Sequence, residues 1–195
     1  AILIVDEAHQ LSSDTNAVEL TKKFKRVLLV SATPPTAIDG YDDIPVLYSY
    51  SMRDAIQQGY ITDYKILLPT ISSKDTNELI TLNNLNQYYR PRVQYMFSCM
   101  LRFGLRRIIV YVPSVEQCNE YLETCKKVAK EYYGVELWSS KITNETRSRD
   151  RDRILQEFQN GNDHTIHVLM SVRILDEGID IIRCDSVFFT EVPKK

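Results

Sequence analysis

The sequence predicts an α/β protein built on parallel sheet, and three observations carry that reading. Short, mostly apolar runs recur at residues 1–5, 27–30, 108–112 and 165–170. Between them lie stretches with helical spacing, such as Val93, Met96, Phe97, Met100 and Leu101. The runs stop on polar residues, Asp6-Glu7, Ser31 and Ser114 among them. That pattern puts reactive side chains at strand carboxyl ends, where open α/β sheets bind ligands.

At 195 residues and 44% hydrophobic, the chain can bury a core as one domain or two small ones. Charged residues make up 26% and the formal net charge is -2, so there is no global nucleic-acid signature and any basic groove must be local. The four cysteines, Cys99, Cys118, Cys125 and Cys184, show no paired CxxC spacing, and His164 and His167 lack partners at metal-ligand spacing. Free thiols in a reducing, intracellular setting (cytoplasm, nucleus or virion) are therefore expected, not a secreted protein. No apolar run approaches the roughly 18 residues of a membrane span, and no signal segment opens the chain. The chain begins inside an apolar run without Met, which reads as an excerpt of a longer polypeptide.

Five apolar residues at 1–5 suit a central strand covered on both faces, with Asp6 at or just beyond its end. An Asp there can hold Mg²⁺ through oxygen, and the neighbouring Glu7 can orient the water that attacks a γ-phosphate. Acidic residues after a strand also cap helices, which is the alternative. As spelled, Asp6-Glu7-Ala8-His9 resembles the Walker B segment, the DEAH box or motif II, of superfamily 2 helicases and translocases.

Residues 10–16 read as a loop, and 17–24 as a short helix with Val18, Leu20 and Phe24 inward. Lys22, Lys23, Lys25 and Arg26 form a charge cluster, read as a solvated face in preference to a nucleic-acid contact. The second strand, 27–30, delivers Ser31-Ala32-Thr33-Pro34. The hydroxyls can hydrogen-bond neighbouring carboxylates and Pro34 ends the strand. This tripeptide, placed after DEAH, resembles motif III, which the resemblance implies couples the nucleotide site to strand movement. Residues 36–45 are turn-rich; 48–50 read as a strand, followed by a helix capped by Ser51 and ended by Gly59. The helix Ala55-Ile56-Gln57-Gln58-Gly59 leading into 64–68 resembles the passage between motor domains in the repair and restriction-enzyme branch, which puts a boundary near Thr62 or Asp63.

Residues 72–86 are polar and Asn-rich, as in a surface excursion or partial disorder, and 88–103 form a helix whose apolar residues are core in preference to a base-stacking platform. The strand at 106–112 ends at Pro113-Ser114, with Ser114 capping a helix through Ala129. The family places motif IV here, where small polar groups can meet nucleic-acid phosphates; an ordinary helix cap is the alternative. Residues 135–138 read as a short strand, 139–143 as a loop, and 144–159 as a charged helix with Ile154, Leu155 and Phe158 inward. Its Arg147, Arg149, Arg151 and Arg153 interleave with Asp150 and Asp152, so local pairing competes with phosphate binding. The strand at 165–170 reaches Ser171, and 171–181 resembles the Leu-x-Glu-Gly-x-Asp form of motif V. There Gly178 permits close backbone approach and Asp180 can accept hydrogen bonds. Ile182 stands where the family often has Pro, and 187–189 is the last strand.

The resemblance implies two RecA-like parallel-sheet domains in an α/β fold. Residues 1–63 would be the C-terminal part of the first, truncated at its N-terminal side, and 64–195 the second without its last part. It implies a P-loop NTPase using ATP and Mg²⁺ to move on nucleic acid, DNA ahead of RNA, with no membrane partner. Asp6 would hold the metal, Glu7 would activate water, and His9 would bind nucleotide and couple its site to the other domain, with Ser31 and Thr33 relaying. Gly178 and Asp180 would complete the far wall of the nucleotide cleft, and Ser114 and Ser171 would meet nucleic acid. No Gly is followed by Lys and no Gln-x-x-Gly-Arg occurs, so neither the phosphate-cradling loop nor motif VI is present and these residues alone are expected to be inactive. The alternatives are a non-catalytic helicase-like scaffold, which the intact Asp6 and Glu7 oppose, and the translocating ATPase subunit of a restriction enzyme.

Overall fold

The computed structural model describes residues 1–13, 15–33, 45–69, 85–172 and 181–191. They fall into two compact units, Ala1–Ile66 and Leu67–Lys195.

In the first unit, β1 (Ile2–Val5) pairs in parallel with β2 (Arg26–Leu29), with Ile2 opposite Arg26 and Val5 opposite Leu29. A 3-10 turn over Ala8–Ser13 and helix α1 (Thr15–Thr21) lie between them, where a loop and a later helix were expected. Ala8, Leu11 and Val18 form a small core against Val5, Ala17 and Leu29. Leu20, expected inside, is 53% exposed, because Val18 and Thr21, three residues apart, already form the inner stripe. Among the described residues the sheet is likewise not covered on both faces: Ile2 and Ile4 are 62% and 64% exposed. Side chains alternate across a strand, and among the described residues the 3-10 turn and α1 pack on the Val5 and Leu29 side.

Residues 48–50 do not form the expected strand; without a ladder partner among the described residues, their β-prone side chains stay exposed. Tyr48 stacks on Tyr50 with ring centroids 6.4 Å apart, and Tyr60 meets Tyr50 edge-on. The helix after it, α2 (Met52–Gln57), has the predicted cap: the Asp54 N–H donates to Ser51 Oγ at 3.1 Å. Gly59 follows at φ +77°, a left-handed position that glycine occupies without a Cβ clash.

The second unit is a four-stranded parallel sheet of order β4-β5-β3-β6. Its elements run α3 (Leu85–Phe103), β3 (Arg107–Tyr111), α4 (Val115–Val128), β4 (Leu137–Ile142), α5 (Ser148–Asn160), β5 (Ile166–Ser171) and β6 (Ser186–Phe189). Alternation along the strands sorts the two faces. Ile108, Val110, Ile166, Val168 and Met170 meet the Val93, Met96, Phe97 and Met100 stripe of α3 and the Tyr121, Cys125 and Val128 stripe of α4. Ile109, Leu169 and Ile142 meet Ile154 and Phe158 of α5 on the other side. Helix α3 starts three residues before the expected Tyr88, and Pro91 inside it leaves one intrahelical bond unmade. Strand β4 takes in 139–142 of the stretch expected as a loop at 139–143, because β5 offers a full ladder from Leu137–Ile166 to Ile142–Ser171. After α4 the backbone widens into a π-helical turn, Ala129–Tyr133, closed by Gly134 at φ +58°. It brings Tyr133 Oη to 3.1 Å from the Gln94 carbonyl, to which it donates.

Gly161, just after α5, has a packing role that sequence did not announce. A Cβ there would lie 1.8 Å from His167 Nε2, and that ring is buried with Trp138 beside it at 5.7 Å. Gly161→Ala is therefore expected to lower stability by about 1–3 kcal/mol through overpacking. Urea unfolding followed by the fluorescence of Trp138, the single tryptophan, measures it; an unchanged midpoint would show that the turn moves aside freely.

Candidate functional site

At the carboxyl end of the first sheet the chain turns sharply. Main-chain bonds continue past the ladder, Val30 N–H to the Val5 carbonyl at 2.9 Å and Ala8 N–H to the Val30 carbonyl at 3.0 Å. Buried Ala8 thus pins the turn and leaves Asp6 and Glu7 exposed on either side of the strand end. Asp6 Oδ1 accepts the Glu7 N–H at 2.9 Å, and the Glu7 carbonyl accepts the Gln10 N–H at 3.0 Å.

Glu7 has φ +50°, and among the described residues no other non-glycine residue has a positive φ. A Cβ in left-handed backbone costs about 1–2 kcal/mol, a strain that sequence spacing does not reveal. The side chain folds back so that Oε2 lies 3.3 Å from His9 Nδ1. His9 Nδ1 also lies 3.2 Å from Ser31 Oγ, which accepts the Thr33 N–H at 3.2 Å. The five residues Asp6, Glu7, His9, Ser31 and Thr33 thus occupy one strand edge, linked by a chain of polar contacts.

Mg²⁺ fits this edge in one sense only. Among the described residues no group of three or more His, Cys, Asp or Glu could enclose a metal. Asp6 is exposed with Oδ2 unpartnered among the described residues, which suits an ion that takes one or two carboxylates and completes its shell with phosphate oxygens and water.

In the second unit, Ser114 follows β3 as the N-cap of α4, its Oγ accepting the Gln117 N–H at 3.2 Å. Ser171 ends β5 opposite Tyr111 of β3 and is fully buried, its carbonyl accepting the Val112 N–H at 2.9 Å. Both serines lie at the carboxyl edge of neighbouring strands. Gly178 and Asp180 lie outside the described residues, as do Pro34 and 36–44. On α5 Arg153 pairs with Glu157 at 2.7 Å, a local partner other than the expected Asp150 and Asp152.

Sequence reasoning missed an ionic group at the opposite, amino edge of this sheet. Arg107, only 3% exposed, donates Nε to the Phe158 carbonyl at 3.1 Å and Nη2 to the Gly161 carbonyl, and Nη1 lies 2.8 Å from Asp163. The hydrogen bond from Arg107, with Arg183 nearby, holds the Asp163 carboxyl below the usual range. Burial, then the Arg107 charge, depresses the His167 imidazole. The only signal in sequence was a charged pair, Arg106-Arg107, directly before an apolar strand.

Two solved structures share this fold. One is the ATP-dependent Type ISP restriction-modification enzyme LlaBIII bound to DNA, with 21% identity and a TM-score of 0.69 over 96% of this chain and 16% of that one. Another is a variant of S. cerevisiae Dbp5 bound to RNA and ADP–BeF3, with 17% identity and a TM-score of 0.52 over all of this chain and 45% of that one. The chain therefore spans less than half the length of either. No curated protein matches it. The model of the helicase conserved C-terminal domain matches residues 94–195, more than half of the chain and most of the second unit. Carrying that match on a parallel sheet of order β4-β5-β3-β6, the chain belongs to the helicase conserved C-terminal domain family.

Proposed function

We propose that this chain is the part spanning motifs II to V of an ATP- and Mg²⁺-dependent nucleic-acid helicase or translocase acting inside the cell, with residues 1–63 and 64–195 belonging to its two RecA-like domains. The observation that carries the reading is the strained turn at Glu7, which holds two exposed carboxylates at a strand's carboxyl end and links them through His9 to Ser31.

Each residue has a role that its chemistry allows. Asp6 Oδ2 would hold Mg²⁺, which when bound neutralises triphosphate charge. Glu7 orients the attacking water and takes its proton, with the N–H of Glu7 itself fixing Asp6. His9 senses this carboxylate through Nδ1 and passes its position to Ser31 and, through Ser31 Oγ, to Thr33. Gly178 and Asp180 would contribute to nucleotide binding. Nucleic acid, DNA ahead of RNA, would be held mainly by its phosphates, with Ser114 and Ser171 marking the strand edge it meets. A non-catalytic scaffold has no need to keep Glu7 in strained backbone beside an unpartnered Asp6 oxygen. A second reading, the translocating ATPase subunit of a restriction enzyme, draws support from the fold likeness to LlaBIII, itself bound to DNA.

These 195 residues contain no phosphate-cradling loop, so on their own they are expected to release phosphate from ATP at background rate. A polypeptide joining them to a Gly-Lys-Thr or Gly-Lys-Ser loop upstream of Ala1 should hydrolyse ATP faster when single-stranded or duplex nucleic acid is added. A steady-state phosphate-release assay decides. ATP turnover that ignores nucleic acid would sink the motor reading, and turnover by the 195 residues alone would overturn their inactivity.

A further inference from the structure

A cavity of about 520 Å³ opens at the amino edge of the second sheet, lined by Gly104, Arg106, Arg107, Asp163, Arg183 and Asp185 with their neighbours. It lies at the end of the strands opposite to Ser114 and Ser171, so it is no part of the edge discussed above. Its charges are unevenly satisfied. Arg107 spends its donors on two carbonyls and Asp163. Asp185 Oδ2 accepts two main-chain N–H groups, those of Arg106 at 2.7 Å and Arg107 at 2.8 Å, so backbone dipoles offset much of its charge. Asp163 is shared between Arg107 and Arg183, at 2.8 and 3.0 Å.

What remains is cationic. Arg106 is half-buried and its guanidinium has no partner among the described residues, among which Arg183 meets only Asp163. A half-buried cation without a counter-charge is costly, and an anion entering the cavity would relieve it. Planar guanidinium forks with several donors to spare match tetrahedral oxyanions. The rim is also held in place, since Asp185 clamps the amides on either side of the Arg106 carbonyl and Arg107 is locked beneath it.

We infer that this cavity is a phosphate-binding site, with Arg106 as its principal ligand and Arg183 assisting, taking either a free phosphate group or a backbone phosphate of nucleic acid. The inference stands apart from the ATPase reading, since none of its residues belongs to that machinery.

Titration of the ¹⁵N-labelled 195-residue chain with pyrophosphate at low ionic strength tests it, read at the amide resonances of Gly104, Arg107 and Asp185. Saturable shifts are expected there. Arg106→Gln should weaken the affinity by about tenfold or more, the loss typical of hydrogen bonds to a charged group, and Arg106→Lys, which keeps the charge but not the fork, by less. Lys130→Gln, an exposed cation elsewhere, should leave it unchanged. Absence of saturable shifts, or equal affinity in wild type and both Arg106 variants, overturns the site. Displacement of pyrophosphate by a short oligothymidylate would assign the site to nucleic-acid backbone. Failure to displace it, with the Arg106 dependence intact, would assign it to free phosphate groups.

Discussion

Glu7→Gln, in a polypeptide that supplies the phosphate-cradling loop, is expected to lower ATP turnover by about 10²- to 10⁴-fold while changing nucleotide affinity little. The amide has the shape of the carboxylate, so the turn pinned by Ala8 and the contact of the side chain with His9 can persist. What disappears is a group able to accept a proton and polarise water. Loss of a transition-state interaction lowers kcat; loss of ground-state binding raises Kd instead. Asp6→Asn should behave differently, weakening the Mg²⁺ dependence of nucleotide binding, because a neutral oxygen is a poorer ligand for a hard cation. Kinetics of both variants, with nucleotide binding measured separately, separate the two roles. Glu7→Gln turnover within a few-fold of wild type would mean that the exposed carboxylate does no chemistry.

Arg107→Met should destabilise the second unit by about 2–4 kcal/mol. Methionine fills much of the same volume, so the loss is one of hydrogen bonding, not of packing. The carbonyls of Phe158 and Gly161 lose their charged donor, and each buried unsatisfied acceptor costs about 1–3 kcal/mol. The pair with Asp163 adds little, because that carboxylate is 67% exposed and water replaces its partner. Arg107→Lys should recover only part of the loss, since an ammonium cannot reach two carbonyls and a carboxylate in different directions. Urea unfolding read by Trp138, which lies against His167 in this region, reports the change. A shift below about 1 kcal/mol would show that the turn after α5 is held by other contacts.

Much of the second unit was legible in the chain. The stripe Val93, Met96, Phe97 and Met100 predicted the inner face of α3, and each of these residues is buried. Ser51 and Ser114 announced helix caps, and both accept the expected main-chain N–H. Periodicity and capping are local, so they survive without knowledge of neighbours. Strand limits were less legible. Residues 139–143 are polar enough to read as loop, yet 139–142 pair with β5 because the adjacent backbone supplies the hydrogen bonds. Tyr48 and Tyr50 show the converse, β-prone residues that no strand accepts.

By itself, the order of residues determined that the protein is α/β with parallel strands, and which family it resembles, since apolar runs and the DEAH spelling are short-range features. Only the tertiary structure decided that Glu7 sits in left-handed backbone with His9 joined to Ser31, and that Arg107, Asp163 and Asp185 frame a cationic cavity around Arg106. Those arrangements join residues 22 to 79 positions apart. Contacts at such separation arise from strand order and register, which no local pattern encodes.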